Sequence, residues 1–71
     1  MTPDRVIDAR GMRCPWPALR LARAMREAGE GMRLLILADD PIAPGEIAAL
    51  ADHHGWTVRP ADQDHAFIVT K

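Results

Sequence analysis

Gly31-Met32-Arg33-Leu34-Leu35-Ile36-Leu37-Ala38-Asp39-Asp40-Pro41 is the stretch on which the fold turns. Its apolar part, residues 32–38, is short, and a glycine before it and Asp-Asp-Pro after it are the boundaries of a strand. The run from 34 to 38 shows no alternation, so it reads as a central strand. Upstream, Ala18, Leu21, Ala22, Met25 and Ala28 recur at helical spacing. Arg20, Arg23 and Glu27 fall on the opposite, wet face, and Gly29 and Gly31 supply the stop. Downstream, Pro44 suits the first turn of a second helix whose face carries Ile47, Leu50, Ala51 and His54. Gly55 stands where a left-handed cap is needed. Residues 5–9 form a short opening strand halted by Gly11. Residues 56–59 and 66–70 are two closing strands, joined by a loop with Asp62, Gln63 and Asp64. The order β-α-β-α-β-β predicts two crossover units on a largely parallel sheet, closed by one antiparallel strand.

Composition agrees with a single small α/β domain over residues 1–71. The chain is 48 % apolar and 27 % charged with a net charge of −1, which is globular rather than disordered. One cysteine excludes a disulfide framework, or a multi-cysteine zinc or iron–sulfur site, within one chain. No apolar run approaches the ~18–20 residues that span a bilayer. The opening Met-Thr-Pro-Asp-Arg lacks a leader's basic-then-apolar order, so a reducing cytoplasm is the expected location. The charge is uneven. Residues 1–33 hold seven arginines against Asp4, Asp8, Glu27 and Glu30, a net of +3, while residues 34–71 carry a net of −4. The basic third suits nucleic acid or an acidic protein partner equally.

The chemistry concentrates in Arg10-Gly11-Met12-Arg13-Cys14-Pro15-Trp16-Pro17. Prolines are tolerated in the first helical turn, where their missing N–H groups would be unsatisfied anyway. A helix beginning at Pro15 leaves Cys14 at the N-cap, with its sulfur facing the free amide of Trp16 and the positive end of the helix. Arg10 and Arg13 add charge nearby, so a thiol pKa below the free value of ~8.5 is expected. A lone cysteine is most commonly a buried apolar residue, but such cysteines sit inside elements among apolar neighbours.

The candidate bases are His53, His54 and His65. His54 continues an apolar helix face as a half-buried group, and His53 points to solvent. Neither is placed beside Cys14, and attack on sulfur needs only a thiolate and access. Group carriage therefore fits better than turnover. A metal site of Cys14 with two histidines fails because adjacent His53 and His54 cannot face one point. Asp39-Asp40 reads as a turn closing the central strand rather than a cation site.

Asp8-x-x-Gly11-Met12-x-Cys14-Pro15-x-Pro17, followed by Gly31, Ala38-Asp39-Asp40-Pro41 and Phe67, resembles the TusA/SirA/YedF family of small sulfur-carrier proteins. The resemblance implies a two-layer α/β sandwich with strand order 1-2-4-3, strand 4 antiparallel to the rest and two helices on one face. It also implies that Cys14 takes a persulfide from a cysteine desulfurase or rhodanese-type donor and relays it to a downstream acceptor, with no cofactor or metal of its own. Family outlets include tRNA thiolation, molybdenum-cofactor sulfur supply and sulfur oxidation. Gly11, Arg13, Pro15, Trp16 and Pro17 make up the motif around the carrier, and Arg20, Arg23, Asp39 and Asp40 are candidates for partner contact. Met12 stands where the family usually has Leu, Glu46 where it tends to have Asp, and Trp16 at the variable position between the prolines.

Two readings from other classes remain beside the carrier: a non-catalytic RNA- or protein-binding regulatory module, and a thiol redox sensor. Few aromatics accompany the arginines, so direct nucleic-acid binding is not expected, nor is membrane association. With both helices on one face, the unalternating central strand must present two leucine or isoleucine side chains to the other. Arg5, Arg33 and Arg59 have stems long enough to cover them. A monomer with a self-covered face, or weak self-association through it, is expected.

Overall fold

The computed structural model describes residues 3–71. Met1 and Thr2, which head the segment weighed as a leader, lie outside the described residues. The elements are β1 (Arg5–Asp8), α1 (Trp16–Glu27), β2 (Arg33–Leu37), α2 (Ala43–His54), β3 (Thr57–Pro60) and β4 (Ala66–Thr70). The strands lie in the order β1-β2-β4-β3. β1 runs parallel to β2, and β4 is antiparallel to both β2 and β3. This is the α/β architecture expected, in the expected strand order.

Burial alternates along β2, with Leu34 and Ile36 fully buried and Leu35 and Leu37 partly so. Leu34 is registered with Val69, and Ile36 with Ile7 and Phe67. These residues join Leu21 and Met25 of α1 and Ile47 of α2 in one core, so both helices cover the same face of the sheet. The apolar stripe of α1 is rotated from the expected one. Pro17, Leu21, Ala24 and Met25 are buried, while Ala18 and Ala22 are only partly so. The helix packs between α2 and the edge strand β1, which turns Ala24 inward. His54 is exposed rather than half-buried and stacks on Trp56, with ring centroids 4.4 Å apart. Trp56, packed against the core, takes the place expected for it. Gly55 ends α2 at φ 74°, as its position predicts.

The face away from the helices is partly clothed by the chain itself. Pro3, Arg33 and Arg59 gather around Ile68, which is registered with Leu35. Arg5 does not contribute. It is registered with Leu34, whose side chain faces the helices, and it pairs with Glu27 of α1 at 2.9 Å. Val6 stays 56 % exposed beside this cover.

Candidate functional site

The site is assembled where the chain leaves β1 and where it leaves β2. Beyond β1, the Ala9 N–H still donates to the Leu37 carbonyl at 2.8 Å, which keeps the two exits side by side. Arg10 then folds back onto Asp8 with a 2.8 Å ion pair, and this contact holds the Asp8 carboxyl down at about 2. Gly11 turns the chain with φ 82°. Here only glycine avoids the clash that the left-handed region imposes on other residues.

Asp39 and Asp40, at the end of β2, bind this turn through its backbone. The Gly11 N–H donates to Asp39 Oδ1 at 2.9 Å, and the Cys14 N–H donates to Asp40 Oδ2 at 2.7 Å. Asp40 Oδ1 also accepts the Ile42 N–H at 3.0 Å, just before α2. The two carboxylates therefore close the strand, as the Asp-Asp-Pro turn predicts, and also tether the cysteine loop to both neighbouring elements. Hydrogen bonds from the Ile42 and Cys14 amides hold the Asp40 carboxyl below its usual range, with Arg13 assisting.

The expected N-cap is corrected. α1 begins at Trp16 with Pro15 as its N-cap, and no side chain caps it. The Trp16 amide is not free for the sulfur, because it donates to the Arg13 carbonyl at 2.8 Å. The Cys14–Pro15 peptide is cis. Cys14 thus lies one residue before the cap, partly buried.

The expected depression of its pKa is corrected as well. Burial pushes the thiol up, and a hydrogen bond to the Glu46 carboxylate, together with the charges of Glu46 and Asp40, pushes it further. The arginines that were to lower it are engaged elsewhere: Arg10 with Asp8, and Arg13 beside Asp40. Acidic groups from distant parts of the chain outweigh basic groups next to the cysteine.

Met12, Arg13, Asp39, Asp40, Pro41 and Ile42 wall an open cleft of about 500 Å³ at Cys14. Its surroundings also carry uncovered apolar side chains, with Trp16 60 % and Ile42 59 % exposed. Trp16, Arg13 and Arg20 share the adjoining hollow. Arg23 is placed apart, lining the groove between α1 and β1 with Arg5 and Arg20. Pro17 is buried in the core and Pro15 is exposed at the cap. Sequence reasoning left two residues out of the site. Glu46, on the first turn of α2, bears on the thiol, and exposed Ile42 adds to the apolar surround. Ile42 was legible as an uncovered apolar residue in the loop after Pro41, whereas nothing local connects Glu46 to Cys14. Among the described residues no group of three or more His, Cys, Asp or Glu side chains is gathered to hold a metal ion.

The arrangement can do one kind of chemistry readily. It presents a single thiol on an open, partly apolar surface, fixed through its own backbone, to another molecule's sulfur. Comparison with known proteins agrees. Residues 5–71 match the family described as Sulfurtransferase TusA. The chain belongs to the TusA family. Among solved structures, the SirA-like protein from Desulfitobacterium hafniense is 31 % identical, and the alignment covers 93 % of this chain and 92 % of that one, with a TM-score of 0.77. TusA membership supports a sulfur-carrier role, in which sulfur is relayed between partners. Among the described residues, no helix is long and apolar enough to cross a membrane.

Proposed function

We propose that this TusA-family chain carries sulfur as a persulfide on Cys14. The Cys14 sulfur attacks the outer sulfur of a donor persulfide, one S–S bond forms, the donor's S–S bond breaks, and the donor leaves as its thiol. The thiol proton passes to the departing sulfur through water or Glu46, and a downstream acceptor later removes the outer sulfur by the same exchange. No external oxidant or reductant is needed. The donor is a cysteine desulfurase or a rhodanese-type protein, and the working compartment is the reducing cytoplasm, where a lone thiol stays available.

The observation that carries this reading is a single thiol, held by the Asp40 bond to its own N–H at the mouth of an open cleft, in a chain of the TusA family. Exposed Trp16, with Arg13 and Arg20 beside it, is suited to anchor a partner, since Trp and Arg are favoured at interface centres. Incubation with a cysteine desulfurase and cysteine, followed by intact mass measurement, tests it. The expected product is the chain plus one sulfur atom, removable by a thiol reductant and missing in Cys14→Ser. Loading that persists in Cys14→Ser, or no loading of the parent chain by any persulfide donor, refutes the carrier role.

A further inference from the structure

The two edges of the sheet are guarded differently. β3 is blunted by Pro60, which has no N–H to offer, and by the charge of Arg59. β1, at the other edge, pairs only with β2 and contains no proline. The Ala9 N–H bonds to β2, and backbone groups alternate sides along a strand, so Val6 and Asp8 turn their N–H and C=O groups outward. Among the described residues no backbone group meets them there. An edge of this kind is a template for a further strand.

Alongside this edge runs a groove of about 410 Å³, walled by β1 on one side and α1 on the other. Its charged residues are Arg5, Arg20 and Arg23 against Asp8 and Glu27. Arg5 pairs with Glu27 at 2.9 Å and Arg10 with Asp8 at 2.8 Å, so both carboxylates are answered. Arg20 and Arg23 have no ion pair or hydrogen bond among the described residues, although Arg23, with Arg26 further along the helix, adds to the field on Glu27. The two free guanidiniums are neighbours on the helix surface. On the opposite face of the sheet, Val6 is exposed. A strand laid along β1 points alternate side chains to the two faces, toward the arginines and toward the uncovered valine.

We propose that β1 and α1 take up an extended segment of another protein, in which acidic and apolar residues alternate, as a fifth strand of the sheet. Its backbone bonds to Val6 and Asp8, its carboxylates meet Arg20 and Arg23, and its apolar side chains lie beside Val6. Charge selects against a second copy of this chain, because edge-to-edge pairing would bring two such arginine pairs together. The groove shares no lining residue with the cleft at Cys14, so a partner held here leaves the cysteine open.

A capped hexapeptide of alternating glutamate and valine, titrated into the isotope-labelled chain and followed by amide NMR, tests this. Signals of residues 5–8, Arg20 and Arg23 are expected to shift, and at saturation the Val6 and Asp8 amides to exchange with solvent about ten-fold more slowly. Arg20 and Arg23 are exposed, so their replacement spares the core. Arg23→Ala is expected to weaken binding about three-fold and the double variant Arg20→Ala/Arg23→Ala about ten-fold at low salt, both effects fading as ionic strength rises. Equal binding of a lysine–valine hexapeptide overturns the proposal by removing charge selection. Equal binding of a glutamate–valine peptide N-methylated at the residues facing β1, or of a uridine hexanucleotide, overturns it by removing strand pairing. Absent shifts in β1, or shifts centred on Trp16, also overturn it, as do β1 shifts that follow the concentration of the chain alone and so make a second copy the occupant. The peptide contains no sulfur, so the outcome does not depend on whether Cys14 carries a persulfide.

Discussion

Replacing Gly11 with alanine isolates the conformational demand of the turn that carries Cys14. Gly11 has φ 82°, and a Cβ built there meets no atom within 4 Å. The cost of alanine is therefore conformational and not a clash with neighbours. Forcing an L-residue into the left-handed region costs roughly 1–2 kcal/mol. Alanine also restricts the unfolded chain, which returns about 0.4–1 kcal/mol. The net loss is about 1 kcal/mol, or roughly 4–8 °C in Tm for a domain of this size. Gly55 at the end of α2 has φ 74° and the same empty surroundings, so Gly55→Ala has the same expected cost. The two variants differ in what the turn holds. Gly11 donates to Asp39 within the loop whose Cys14 is bound to Asp40, whereas the Gly55 amide returns to carbonyls of its own helix. Thermal unfolding followed by circular dichroism should show similar losses for both, and alkylation of Cys14 in the folded state should change only in Gly11→Ala. Unaltered Tm in Gly11→Ala would show that the left-handed turn is not required. Equal alkylation changes in the two variants would show that the turn does not position the thiol.

The thiol itself should alkylate with a pH midpoint above the ~8.5 of free cysteine, because burial and the Glu46 and Asp40 carboxylates favour its neutral form. Glu46→Gln should bring the midpoint down, and a parent midpoint at or below the free value contradicts the site's electrostatics. A raised acid pKa also means that the stabilisation from this thiol is complete below the free value and is lost as pH rises through the folded one. Asp40 behaves in the opposite sense. Its lowered pKa gives stability above the ordinary carboxylate value that disappears as pH falls through the folded value. The Tm gap between the parent and Asp40→Ala should therefore be widest near neutrality and close in acid, and a gap constant with pH refutes the role of the charged form. Leu34→Ala should cost about 2–5 kcal/mol, a large share of the ~4–10 kcal/mol available to a chain this long. Leu35→Ala, on the partly covered face, should cost about 1 kcal/mol. Urea denaturation measures both; similar losses would mean that the two faces of β2 are equally buried, and a reversed order that the strand presents its faces in the other register.

Much of this protein was decided by local sequence. The spacing from Leu21 to Ala28, the apolar run at 34–38 and Gly55 are short-range signals, and each produced the element it predicts, because period, length and backbone freedom act within a few residues. The motif around Cys14 likewise put the cysteine between strand and helix, where it lies partly buried at an open cleft. What sequence could not decide was the electrostatic sign of the site. Arg10 and Arg13 are neighbours of Cys14 along the chain, while Asp40 and Glu46 are far from it, so a local reading sees positive charge. The parallel pairing of β1 with β2 sets their exits together, and α2 then leans its first turn against the cysteine. Tertiary structure also decided which face of β2 is core. Leu34, Leu35, Ile36 and Leu37 are nearly equivalent in hydrophobicity, and only packing against α1 and α2 distinguishes the pair that faces the helices from the partly buried pair, of which Leu35 lies beside Pro3 and Arg59. Proximity in space, which the pairing of distant segments creates, governs Coulomb energies and burial, and neither is written in the order of the residues.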